Sequence, residues 1–510
     1  MKRLLPWVFI GAVLLYLPAL RYGFVQDDRS IIVSNPAAHS VPRALAAFGE
    51  PYWPAGSGAG LYRPVTTLSY AVDWTLSGGN TTWMHLVNAL LHAVAVLLFA
   101  LVMARWLPGV ASAAAALLFA WHPVHVEAVA NLVGRAELLA AIGILGAVLA
   151  ARQGRWAIAV LCAALAMLSK EHGVIAGVVI LLDRWLQSEA ERRPTPGTFW
   201  IALAAVTAAF VGAWLVIGRS GAGDAAAVFY GRGMPGRLTV ALPAVLRAAR
   251  LLVWPVSLSS DYGPQVIPSY EGLSFAAILG ALVVAGVVAL VWWYRRRAPA
   301  ISFAAGLAAL SYLPTSNLLF ASGVVLAERN LYLAVALPAA LVGAGFAWVA
   351  QRRGFRPAIV AAALVVIACG AVSLIRLPAW RDNRAQLLTL LVEHPESYLG
   401  HASAAAVLAG RGDTAGARHQ YRIADSLFPG DPYLDAAHAI FLLHLGDTAA
   451  AAPVMVRIRE RSSGAADRAG LRARFLFELR SGDRTGAKSV ADSALARFPA
   501  DSGWYAQYLQ

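Results

Sequence analysis

Apolar runs flanked by arginine or lysine recur between residues 4 and 374 and leave few folds open to this chain. Within hydrocarbon every backbone N–H and C=O must find its partner inside the protein, so single runs of this kind fold as helices. With 59% of residues hydrophobic, 14% charged and a mean hydropathy of +0.61, the runs are apolar all round and not striped. The expected fold class is therefore all-α, beginning with a polytopic membrane helical bundle. The formal charge of +14 would fit a nucleic-acid binder if the basic residues shared one soluble face. They are scattered between apolar spans, where anionic lipid attracts them, and no nucleic-acid partner is expected. Cys162 and Cys369 both fall inside apolar runs, which supports neither a disulfide framework nor a thiolate metal site.

Topology follows from the positive charges. Short loops holding Lys2 and Arg3, Arg105, Arg152 and Arg155, Arg184 to Arg193, Arg295 to Arg297, and Arg352 to Arg356 are expected to stay cytoplasmic. Neighbouring cytoplasmic loops must be joined by an even number of crossings. Residues 4–20, 84–106, 109–121, 132–151, 156–168, 174–186, 199–217, 275–294, 301–320, 331–350 and 357–374 then make about eleven, with the first helix uncleaved and the N-terminus inside. The run 238–256 carries Arg247, Arg250, Pro243 and Pro255 and is predicted to lie along the outer interface. Residues 1–378 thus read as the membrane domain, with a first outer loop at 21–83 and an outer interfacial segment at 218–272.

After Arg376 the composition turns soluble, and residues 379–510 are expected to form an extracytoplasmic domain. Residues 398–429 fit a tetratricopeptide (TPR) repeat: Gly412-Asp413 at the turn, Ala417, Tyr421 and Ala424 on the second helix, Pro429 as terminator. The turn recurs at Gly446-Asp447 and Gly482-Asp483, and Pro395, Pro429 and Pro499 keep a matching rhythm. The third repeat has Ala487, Ala494 and Pro499; the second fits poorly on its second helix. Such an α-solenoid either offers a concave protein-binding surface or caps the outer face of the bundle.

The stretch FVQDDRSIIVSN follows the first span, so Asp27 and Asp28 leave the membrane almost as soon as the chain does. Paired acids there are either a solvated loop start or a functional site. Topology puts Arg63, His122, His125, Glu127, Arg135, Lys170, Glu171, Glu328 and Arg329 on the same side, near helix ends. Carboxylates beside cations at a bilayer boundary suit transfer of a sugar from a lipid-linked phosphate to a hydroxyl. A carboxylate takes the hydroxyl proton, and a cation neutralises the departing phosphate. His122-x-x-His125-x-Glu127 has a spacing that either seats a divalent cation or gives hydrogen-bonded helix ends; no metal ligand set is assigned and no other cofactor is implied. Lys170 and Glu171 read as an interfacial ion pair or as donor contacts. Arg329 follows Glu328 directly, and adjacent helical residues do not face each other, so an external phosphate is its expected partner.

The blocks FVQDDRSIIVSNP, LYRPVTTLSYAVDW, HLVNALLHAVAVLLF, LFAWHPVHVEAVANLVGRAELLA, LSKEHGVIA and LAERNLYLAVAL, followed by TPR repeats, resemble the transmembrane and TPR-containing (TMTC) O-mannosyltransferases of the GT-C superfamily. The likeness runs through nearly the whole chain. It implies a GT-C type bundle and a polyprenyl-phosphate-linked donor, with mannose as the sugar and hydroxyls of a protein as acceptor. By position, Asp27 and Asp28 match the family's catalytic acidic pair and Arg329 its Glu-Arg-x-Leu-Tyr block. Arg63, Lys170, Glu171, His122, His125 and Glu127 fall in other shared blocks and are the expected substrate-binding set. About three repeats are fewer than the eukaryotic pattern, which leaves sugar and acceptor open. Composition rich in Arg, Ala and Gly suggests a GC-rich bacterial genome, and the apolar spans then imply a multi-pass protein of the inner membrane. A TPR scaffold without catalysis, or a lipid-linked glycan ligase or transporter, are the competing readings. Transporters, however, put ionisable groups near the midplane.

Overall fold

The computed structural model describes residues 2–54, 60–218, 225–268, 272–460, 466–498 and 502–509. Among these, regular structure is helical throughout, apart from one isolated bridge between Pro264 and Ile267. Six helices are long and apolar enough to cross a membrane: Thr81–Met103, Leu132–Arg152, Gly197–Gly218, Phe275–Tyr294, Leu333–Arg353 and Phe355–Trp380. Four shorter apolar helices, Leu5–Arg21, Gly109–Trp121, Trp156–Ser169 and Pro299–Thr315, fall on other predicted spans. The remaining predicted span, 174–186, is divided between a 3-10 turn, Glu171–Ile175, and an α-helix, Ala176–Leu186.

One predicted span is shortened for a local reason. The helix from Pro299 stops at Tyr312 and tightens into the 3-10 turn Leu313–Thr315, because Pro314 has no N–H to continue the ladder. Asn317 then adopts φ 61° and its side-chain amide donates to the carbonyls of Val324 and Val325 at 3.1 and 3.0 Å. The chain that would have finished the helix is thereby turned toward Glu328 and Arg329.

Small residues let the helices approach closely, the usual source of cohesion where water supplies no hydrophobic drive. A Cβ on Gly143 would stand 2.6 Å from the Cys162 carbonyl, and one on Gly343 2.9 Å from that of Ala111. Helix Met234–Val253 is striped: Val240, Ala244, Ala248 and Leu251 are buried. Against it packs Phe275–Tyr294, where a Cβ on Gly280 would meet the Leu242 carbonyl at 2.0 Å.

The stretch 21–83, read as a loop, has its own architecture. Helices Val41–Ala46 and Pro64–Ser77 surround a small core of Ile31, Ile32, Tyr52, Tyr70 and Leu132. Its apolar residues are too few and too irregularly spaced for a helical period to reveal this.

Three helical pairs occupy the C-terminal part: Tyr398–Gly410 with Thr414–Leu427, Pro432–His444 with Thr448–Glu460, and Ala466–Arg480 with Arg484–Arg497. The turn glycines Gly412, Gly446 and Gly482 have φ of 81°, 77° and 87°, a region closed to most side chains. The aspartate after each caps the next helix, accepting from Gly416, Ala450 and Gly486 amides at 2.8, 3.0 and 2.8 Å. The second pair forms although Pro453 lies within its second helix, where Ala451, Val454 and Met455 are buried. Pro499 lies outside the described residues. Buried apolar residues from Val8 to Trp380 make one continuous core and those from Tyr398 to Tyr505 another.

Polar bonds tie the two parts together. Gly23 N–H donates to the Arg381 carbonyl at 3.0 Å and Gln26 N–H to Asn383 Oδ1 at 2.7 Å. Ser397 Oγ donates to Asp261 at 2.6 Å, and Gln265 Nε2 to the Leu427 carbonyl at 2.8 Å.

Candidate active site

The acidic stretch begins on an unusual backbone. Gln26 has φ 48°, left-handed geometry that a non-glycine residue adopts only when its surroundings hold it there. Its N–H bond to Asn383 does part of that holding. The next two residues diverge completely. Asp28 is fully buried, and its two oxygens accept from the amides of Val25 and Val133, each at 2.9 Å. Burial pushes its carboxyl up to about 7 against the pull of those amides, with Asp27 alongside adding to the rise. Asp27 is half-buried, and among the described residues no hydrogen bond or ion pair holds its carboxylate. Its charge reaches Arg329 and Tyr52.

Segments distant in sequence deliver the cations and their partners. Arg63, just before helix Pro64–Ser77, grips Glu171 through Nε at 3.0 and 3.1 Å and Nη2 at 2.8 Å, with Tyr52 beneath its guanidinium at 5.0 Å. Lys170, at the end of helix Trp156–Ser169, pairs with Glu137 and donates to Asn330 Oδ1 at 3.0 Å. Arg329 binds both oxygens of Glu127, through its backbone N–H at 2.9 Å and Nη1 at 2.7 Å. Its side chain remains 26% exposed, and the fields of Asp27, Glu137 and Arg63 all reach it. Glu328 turns the other way, accepting from Ser259 N–H at 2.6 Å and Tyr262 O–H at 2.8 Å. Burial raises it to about 7, opposed by Arg376.

The predicted residues therefore converge, with altered pairings. Lys170 and Glu171 are not partners; each reaches a different element, because consecutive residues at a helix end point apart. Arg329 has a partner in the chain, Glu127, where an external one was expected. The histidines do not close on Glu127. His122 Nε2 donates to the Leu252 carbonyl at 3.1 Å and His125 Nε2 to that of Tyr332 at 2.9 Å. Among the described residues no three His, Cys, Asp or Glu side chains are grouped to hold a metal ion. Burial pulls His122 down to about 4, so it is neutral at ordinary pH.

Glu137, Asn330, Tyr52 and Tyr262 were missed in the sequence. A signal existed for Glu137: a lysine at an apolar helix end needs a carboxylate once buried, and Glu137 lies in the first turn of the preceding helix. Arg135, also predicted to lie on this side, is fully buried in an ion pair with Asp73 at 2.6 Å and a bond to Asn88 at 2.7 Å.

Comparison with known proteins gives a consistent set of relatives. A protein O-mannosyl-transferase of Caenorhabditis elegans is 29% identical over 341 residues, 63% of this chain and 48% of its own length. Human protein O-mannosyl-transferase TMTC3 is 28% identical over 366 residues, 62% of this chain and 40% of its own. Human TMTC4 is 26% identical over 491 residues, 81% of this chain and 65% of its own. The chain is TMTC-like. It spans about half the length of these curated relatives. No family model matches the chain, and no solved structure matches it. In this TMTC-like chain the cluster just described gathers residues as far apart in sequence as Arg63 and Arg329.

Proposed function

We propose that the protein is a membrane glycosyltransferase that moves mannose from a polyprenyl-phosphate donor to hydroxyl groups of a protein acceptor. The observation that carries this reading is the Asp27 carboxylate, unpaired among the described residues and within electrostatic reach of Arg329, in a chain whose relatives are named protein O-mannosyl-transferases. Asp27 accepts the proton of the acceptor hydroxyl as its oxygen bonds to the anomeric carbon. The bond from that carbon to the phosphate oxygen breaks, and the phosphate leaves on its lipid.

Arg329 holds the departing phosphate. A guanidinium has five N–H donors, and Glu127 takes one of the side-chain donors, so the group is fixed yet keeps donors to offer. Arg63 and Lys170 are committed to Glu171 and Glu137 and contribute field more than contact. Asp28 positions the loop. Its two amide bonds and its full burial tie it to the backbone, which favours Asp27 as the base.

On this reading residues 1–378 form a GT-C type domain of about eleven crossings. Residues 379–510 form a TPR solenoid on the same outer face, in a bacterial inner membrane. The bonds from Gly23 and Gln26 to Arg381 and Asn383 support it, since they bring the start of the solenoid against the acidic loop. The solenoid presents an extended acceptor segment there. The test is transfer of radiolabelled mannose from polyprenyl-phosphate-mannose to protein in membranes holding the wild type or Asp27→Asn. Label with the wild type alone is expected; undiminished label with Asp27→Asn rejects the assigned base.

A further inference from the structure

We propose that the cavity at the outer end of helix Phe355–Arg376 binds one anionic phospholipid of the surrounding bilayer, at a site separate from the Asp27 cluster. A space of about 410 Å³ lies between Val256 and Leu258 on one side and the turn Leu377–Trp380 with helix Asn383–Glu393 on the other. Small-molecule pockets run from roughly 300 to 1,000 Å³. The cavity therefore suits a phosphoglycerol group and the first carbons of one acyl chain, the remainder staying in the bilayer.

The lining changes character along the helix in the order a phospholipid requires. Val372 and Ile375 come from the last apolar turn. Arg376 follows, only 5% exposed, with Nη1 bonded to Glu393 at 2.6 Å and Nε without a hydrogen-bond partner among the described residues. Thr389 and the solvent-facing Arg381 complete the polar side. Glu393 and Asp382 each hold one arginine through a single nitrogen among the described residues, so both guanidiniums keep donors to offer a phosphodiester. Asp382 engages Arg381 only through Nε, at 3.0 Å. Guanidinium N–H groups that a carboxylate leaves free bind phosphate oxygens well.

The surroundings are those of a membrane boundary. The apolar span Phe355–Trp380 ends at the cavity. Leu388 and Val392, one turn apart on the same face of helix Asn383–Glu393, are 51% and 81% exposed. Trp254, two residues before Val256, is 64% exposed, and tryptophan beside basic residues favours the headgroup level. The apolar half of the cavity argues against free phosphate as occupant.

The test is native mass spectrometry of the full-length protein in mild detergent, titrated separately with phosphatidylglycerol, phosphatidylcholine and inorganic phosphate. One phosphatidylglycerol is expected to be retained about tenfold more tightly than phosphatidylcholine, a factor worth ~1.4 kcal/mol. Arg376→Gln and Leu388→Glu should each erase that preference, and Arg381→Gln, at an exposed side chain, should weaken it. Equal retention of both lipids overturns the proposal, as does phosphate binding as tightly as lipid. Unchanged preference in a folded Arg376→Gln overturns it too; if that variant unfolds, Leu388→Glu and Arg381→Gln decide.

Discussion

The carboxylate of Asp28 accepts a hydrogen bond of 2.9 Å from the amide of Val133, a residue 105 positions further along the chain. A second bond from Val25 shapes the loop around the same carboxylate. The neighbouring Asp27 is left outside this arrangement, and its charge reaches Arg329. On the proposed reading one acid shapes the loop and the other is the base.

Asp28→Asn separates these roles. The amide side chain keeps one acceptor but presents N–H₂ to a second backbone donor, at a cost of about 1–3 kcal/mol. Thermal unfolding should show this loss, whereas Asp27→Asn should melt like the wild type while losing transfer.

Stability should also depend on pH through the same carboxyl. Burial holds folded Asp28 at about 7, above an unfolded value of ~3.9. The folded state thus keeps a proton that the unfolded chain gives up. The favourable contribution is complete below pH ~4 and is lost as pH rises through about 7. Glu328, also raised to about 7, acts in the same sense. Melting temperatures measured across this window should fall with rising pH in the wild type and fall less in Asp28→Asn.

The pair of Lys170 and Glu137 is deeply buried. Lys170→Met or Glu137→Leu alone strands the opposite charge, and loss of one partner from such a pair typically costs ~3–5 kcal/mol. The double variant Lys170→Met, Glu137→Leu should recover most of the stability lost by either single change. A double-mutant cycle on unfolding that shows simple additivity would contradict the pairing.

Arg329→Lys tests the phosphate contact. Lysine keeps the charge but cannot hold Glu127 and a phosphate oxygen with one fixed fork. Losing a charge-assisted bond worth about 1.5–3 kcal/mol should lower kcat/KM for the donor roughly 10- to 100-fold. The loss should appear with donor titrated and not with acceptor.

In the C-terminal part, Gly482→Ala forces a side chain into φ 87° and should destabilise by about 1 kcal/mol. Asp483→Ala removes the cap on the Gly486 amide and should cost about the same. Circular dichroism melting of the full-length protein reads both effects.

Several features were legible in the sequence because they are local. Apolar length marks a helix in any context, so ten of the predicted spans fall on apolar helices. The Gly-Asp turns were legible for the same reason: a left-handed glycine followed by a capping aspartate carries its geometry within four residues. Where Pro314 cut a predicted span short, the signal was also local but was outweighed by overall apolarity.

Only tertiary structure decided who pairs with whom. Sequence placed Asp27, Arg63, Lys170, Glu171, Glu127 and Arg329 on one side by counting crossings, and it proposed pairing by adjacency or with an external ligand. Charge interactions act through space and strengthen when burial removes water, so the partners were chosen by packing: Arg63 with Glu171, Lys170 with Glu137, Arg329 with Glu127. The difference between Asp27 and Asp28 has the same origin. Two identical side chains in consecutive positions share every local property, and only the amide of Val133, brought over by the fold, makes one structural and leaves the other free.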